Sequence, residues 1–102
     1  MPMHVITRKR IREAQEDHPD CAEALGAWYE LMRAGRYTTF AALKETFGSV
    51  DKIGKLYVFN IGGNKLRLIA AIHLNTGKVF IRYVLTHKDY DKESWKKAEG
   101  LK

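Results

Sequence analysis

The spacing of apolar residues changes near Lys55, from a period of about 3.6 to one of about 2, and this divides the chain into a helical half and a strand half. Upstream, Met3 to Ile6 is a short apolar segment, and Thr7 stands where a helix N-cap is wanted. A first helix is predicted over Arg8–Asp17 with Ile11 and Ala14 inward, ending at His18-Pro19 because a residue before proline avoids the helical region. A second starts at Asp20, with Glu23 in capping-box position. Ala24, Leu25, Trp28, Leu31 and Met32 recur at helical spacing as far as Ala34, and Gly35 stops the run. A short third helix follows Thr38 or Thr39, with Phe40, Leu43 and Phe47 inward and Gly48 as a left-handed cap.

Downstream, Tyr57–Asn60, Lys65–His73 and Lys78–Leu85 are rich in β-branched, aliphatic and aromatic residues. Gly62-Gly63-Asn64 and Asn75-Thr76-Gly77 supply turn chemistry between them. Three antiparallel strands in sequential order are expected, with Met3–Ile6 as a fourth at an edge. A last helix, Lys92–Ala98, is anchored by Trp95. The predicted architecture is α+β: N-terminal helices on one face of a three- to four-stranded antiparallel sheet, with a short C-terminal helix.

Strict alternation sorts the side chains by face. Leu66, Leu68, Ala70 and Ile72, with Val79, Ile81, Tyr83 and Leu85, are expected to meet the helices. Unless a bulge intervenes, the other face carries Lys65, Arg67, Ile69, Ala71 and His73 beside Lys78, Phe80, Arg82, Val84 and Thr86. That places Arg67 and Arg82 on neighbouring strands, next to the exit sequence Thr86-His87-Lys88-Asp89-Tyr90.

Composition adds a direction. The 102 residues suit a single domain, 1–102, since domains run to roughly 100–200 residues. The net charge of +6 is unevenly spread. Residues 1–51 carry seven Lys/Arg against eight Asp/Glu, whereas residues 52–102 carry eleven against four. A basic excess confined to the strand half favours a polyanionic partner over mere solubility. No apolar run reaches the ~20 residues of a membrane span, the first residues lack a signal-peptide layout, and Cys21 is the sole cysteine, so a reducing cytoplasm is the expected compartment. His4, His18, His73 and Cys21 show no ligand spacing; no metal or cofactor is expected.

Two segments then resemble a known family. Phe59-Asn60-Ile61-Gly62-Gly63-Asn64-Lys65-Leu66-Arg67 followed by Thr86-His87-Lys88-Asp89-Tyr90-Asp91 looks like the HigB-type toxins of bacterial toxin–antitoxin pairs, in the RelE/ParE superfamily. Trp28-Tyr29, Leu43–Phe47 and Asp51 fit the helical half of that family, so the likeness covers nearly the whole chain. One position departs: an aromatic commonly precedes the hairpin arginine, and here it is Leu66. The resemblance implies a RelE/ParE-like fold and a ribosome-dependent messenger-RNA endoribonuclease that acts on mRNA in the ribosomal A site. It further implies a neutralising antitoxin, expected to be of helix-turn-helix type, and no membrane partner.

Cleavage of RNA by 2′-hydroxyl attack needs a base, an acid and donors for phosphoryl charge. Arg67 and Arg82 are assigned to that charge because a guanidinium matches two phosphate oxygens. Lys65 assists as a cation, His87 is the proton-transfer candidate because imidazole titrates nearest neutrality, and Tyr90 is an acid or a stacking group. Lys65, Asn64, Lys78, Lys88 and Lys96 are candidates for holding RNA. Competing readings make His87 a capping or surface residue and Tyr90 a packing one. Two other functions stay open: a ParE-like gyrase inhibitor, which shares the fold, and a ribosome- or RNA-binding module that does not cleave.

Overall fold

The computed structural model describes residues 2–63 and 65–98. In chain order its elements are β1 (His4–Val5), α1 (Arg8–Asp17), a 3₁₀ turn (Pro19–Cys21), α2 (Ala22–Ala34), α3 (Phe40–Thr46), β2 (Asp51–Ile53), β3 (Leu56–Ile61), β4 (Leu66–His73), β5 (Lys78–Thr86), α4 (His87–Asp91) and α5 (Ser94–Ala98). The sheet order is β1-β5-β4-β3-β2. Three strands, β3, β4 and β5, form the expected antiparallel meander. Gly62 and Gly63 take φ of 61° and 71° in its first turn, a left-handed conformation that L side chains resist.

The sheet has five strands where three or four were expected. The N-terminal segment does lie at an edge, but it pairs parallel to β5, with His4 opposite Lys78 and Val5 opposite Val79. The added strand, β2, pairs antiparallel with β3 through Asp51, Lys52 and Ile53. Three residues with only one apolar member carry no alternation to read; neighbouring β3 supplies their order.

The three N-terminal helices pack on one face, the inner one. Leu25, Trp28 and Met32 from α2 and Leu43 from α3 join Phe59, Leu66, Leu68, Ala70, Ile72, Val79 and Ile81 in the principal core. Phe59 is its aromatic centre, meeting Trp28 edge-on at 5.4 Å and Phe47 at 5.1 Å, the geometry that ring quadrupoles favour. Leu31, expected in the buried stripe, is 49% exposed. The stripe is narrower than the spacing suggested.

Several local signals resolved differently. Thr7 makes no cap bond to α1; its hydroxyl accepts from the Ile81 backbone N–H at 2.6 Å, tying the start of α1 to β5. Asp20 makes no capping bond and instead pairs with Lys65 at 3.4 Å. Gly48 is absent from the positive-φ residues, and Phe47 closes α3. The C-terminal helix expected over Lys92–Ala98 is two short helices, broken where Glu93 takes φ of 59°.

The largest correction concerns faces. The β4–β5 register runs Leu66↔Thr86, Arg67↔Leu85, Leu68↔Val84 and Ile69↔Tyr83, then jumps to Ala70↔Ile81, so that the register skips Arg82. This is a β-bulge, and an extra residue inverts the alternation beyond it. Val84 therefore packs against the inner core, while Tyr83 and Leu85 join the outer face with Leu56, Val58, Ile69 and Trp95.

Candidate active site

Arg67 is the second residue of β4, opposite Asn60 on β3 and Leu85 on β5. It is the buried charged residue of the described chain, 9% exposed. Burying a guanidinium is costly unless polar or π groups replace its water. Here Nη1 donates to the Leu66 carbonyl at 3.3 Å, and the Tyr90 ring centre lies 5.7 Å from the guanidinium carbon. The cation–π contact gains strength in such a desolvated place.

Tyr90 is delivered by α4. Thr86 caps that helix, its hydroxyl accepting from the Asp89 N–H at 3.1 Å. The His87 N–H bonds the Lys65 carbonyl at 3.3 Å, which joins the β5 exit to the β3–β4 hairpin. Tyr90 then stacks on Trp95, with ring centres 5.4 Å apart and planes inclined by 19°. Trp95 Nε1 donates to the Tyr90 carbonyl at 3.2 Å. Trp95 is itself 3% exposed and seated on Leu56, Val58 and Ile69. Partial burial raises the Tyr90 phenol above its ordinary pKa, against the opposing pull of the Lys96 and Arg67 charges. The phenol therefore keeps its proton at neutral pH, as a hydrogen-bond donor or acid must.

His87 begins α4 and faces solvent. Its Nδ1 lies 3.4 Å from Asp91 Oδ2, with the two side chains 53% and 60% exposed. A carboxylate on one ring nitrogen orients the imidazole and leaves the other for chemistry. The i,i+4 spacing of His87 and Asp91 on one short helix was the available signal for this pairing.

Of the residues singled out in the sequence, the structure groups Arg67, Tyr90 and His87 at one end of the outer face. Lys88 is exposed on α4. Lys65 sits at the start of β4, and its ammonium bridges to Asp20 across exposed surface, a contact worth little energy. Lys96 pairs with Glu93 at 3.0 Å, 5.8 Å from the Trp95 ring centre. Lys78 lies at the other end of the sheet, opposite His73. Arg82, at the bulge, lines a separate cleft that does not include Arg67. Asn64 lies outside the described residues. Leu66 is 2% exposed in the inner core, so an aromatic there would face the helices. Trp95 was legible as a packing anchor, but nothing in its spacing showed that it holds Tyr90.

Among the described residues no helix is long and apolar enough to cross a membrane. The chain is thus a small α+β domain with N-terminal helices on one face of a five-stranded sheet and a buried arginine, a tyrosine and a carboxylate-paired histidine at the strand exit. The profile of the HigB toxin family, described as the RelE-like toxic component of a toxin–antitoxin system, matches residues 21–93. The chain belongs to that family. It is 39% identical over 92 residues to the mRNA interferase toxin HigB of Escherichia coli strain K12, covering 87% of this chain and 88% of that protein. It is equally similar to the mRNA interferase HigB of Shigella flexneri, and 30% identical over 93 residues to that of Escherichia coli O6:H1, covering 88% and 90% of the two chains. As the toxic member of a toxin–antitoxin system, it has an antitoxin as its counterpart.

Proposed function

We propose that this protein is an mRNA interferase that cleaves messages in the ribosomal A site through 2′-hydroxyl attack on the adjacent phosphate. The observation that carries the reading is the Arg67–Tyr90 contact at 5.7 Å with His87 on the same short helix. The relatives named as mRNA interferases support it. In this scheme the Asp91-oriented His87 takes the 2′-hydroxyl proton. The Arg67 fork neutralises charge building on the non-bridging oxygens. Tyr90 gives its proton to the departing 5′-oxygen, leaving a cyclic phosphate and a 5′-hydroxyl end. Lys65 and Lys88 flank the site and hold backbone, and Lys96 and Lys78 add attraction for RNA. With Arg67 nine-tenths buried, a strand held in place by the ribosome presents its phosphate better than a free one, which supports ribosome dependence. The antitoxin is taken to be a helix-turn-helix protein, which the neighbouring reading frame tests.

Expression of the chain is expected to arrest growth and to create new message ends bearing 5′-hydroxyls. His87→Gln, a change at an exposed position, is expected to slow cleavage far more than it weakens ribosome binding. An absence of new ends in cells making the unaltered protein sinks the proposal. Equal losses of cleavage and binding in His87→Gln remove the histidine from the chemistry.

A further inference from the structure

β3 breaks its own pattern at Asn60. Every other residue of Leu56–Ile61 is buried, and Asn60 is exposed. Asparagine is depleted in strands, and its φ here is not positive, so no left-handed backbone calls for it. Asparagines beside turns ordinarily bond local backbone. The Asn60 side-chain amide instead makes no hydrogen bond to another described residue. A strand-averse residue kept in mid-strand without local reward is what a functional site leaves behind.

Register places that amide. Asn60 stands directly opposite Arg67 in the β3–β4 pair. Phe59 and Ile61 lie in the inner core, as do Leu66 and Leu68, so alternation turns both Asn60 and Arg67 to the outer face. Side chains opposed in this way have Cβ atoms about 4.5–5.5 Å apart. The guanidinium stays close to the sheet, because Nη1 returns to the Leu66 carbonyl at 3.3 Å. The helix α4, which bears His87 and Tyr90, packs on β4 and β5, whereas Asn60 flanks Arg67 from the β3 side. A phosphate seated on Arg67 therefore lies between α4 and the Asn60 amide.

Charge builds on two non-bridging oxygens during cleavage, and donors aimed at both lower the barrier. A neutral amide N–H can serve one of them at a smaller desolvation cost than a second cation. We infer that Asn60 is a further substrate-binding residue, whose side-chain N–H donates to a non-bridging oxygen of the scissile phosphate held by Arg67. The inference rests on the ribonuclease reading, and the experiment separates the two. Single-turnover cleavage of a message in the A site of programmed ribosomes is measured for the unaltered chain and for Asn60→Val, with urea unfolding of both. Valine suits a strand better than asparagine, so the midpoint is expected to hold or rise while cleavage falls ~10²-fold, the scale of losing one oxyanion donor. A lowered midpoint makes Asn60 structural and overturns the inference. Each non-bridging oxygen at the cut is then replaced in turn by sulfur, the weaker acceptor. At the oxygen that Asn60 serves, sulfur and Asn60→Val together are expected to cost no more than either alone; at the other oxygen the two losses multiply. Losses that multiply at both oxygens, or an Asn60→Val chain that cuts at the unaltered rate, overturn the inference and leave the ribonuclease reading standing. A message left intact by the unaltered chain removes both.

Discussion

The two faces of the sheet use the same strands but differ in how they are closed. On the inner face, three helices and the aromatic centre around Phe59 bury a large apolar cluster, and among the described residues the buried charged side chain, Arg67, lies outside it. On the outer face, a smaller cluster of Leu56, Val58 and Ile69 is covered by a single indole, that of Trp95, while Arg67 is buried at its border. Apolar area removed from water scales with stabilisation, so the inner face supplies most of the stability. The outer face keeps its polar groups in a partly dry setting where electrostatic interactions strengthen. The division separates what holds the fold from what the fold displays, and changes on the two faces should register in different measurements.

The largest effect is expected from Phe59→Ala, which empties the meeting point of Trp28 and Phe47. It should cost about 3–5 kcal/mol, read as a lowered urea midpoint, and abolish toxicity by unfolding. A small loss would mean that the inner face collapses readily onto a cavity, blurring the contrast. Trp95→Leu is expected to do the opposite. The helical core should survive, but Tyr90 loses its stacking partner and its carbonyl loses a donor; misplacement by about 1 Å can cost ~10²-fold in rate. Cleavage should fall on that scale with ribosome binding retained, and Trp95→Phe should restore much of it through stacking alone. A Phe variant as poor as Leu would show that the indole N–H, and not the ring, sets the position of Tyr90. Thr86→Ala is expected to be the mildest, removing the cap of α4 for a loss of ~1 kcal/mol. Backbone hydrogen exchange should localise that loss to His87–Asp91. Loss of protection spreading into β4 would couple the exit helix to the sheet more strongly than one cap bond allows.

Periodicity and turn chemistry carried much of the fold. The three long strands, their order and both glycine turns were visible because β-branched and aromatic runs between turn residues favour strands, the two longer runs alternate, and positive φ selects glycine. The segment around His87 and Tyr90 was legible as chemistry because a short exit sequence concentrated titratable and aromatic groups beside strand cations. β2 was not visible, being too short to alternate, and Thr7 and Asp20 carried capping signals that tertiary partners redirected to Ile81 and Lys65.

What the chain order alone determined, then, was the helix-then-meander layout, the inner set of β4 residues and the concentration of positive charge in the second half. Tertiary structure alone decided that Arg82 leaves the company of Arg67, that Tyr83 and Leu85 change sides, and that Trp95 holds Tyr90 over the buried guanidinium. The physical reason is that alternation is a local rule with period two, which one inserted residue inverts. The alternation along β5 carries no mark of where that residue falls; only the pairing with β4 shows it.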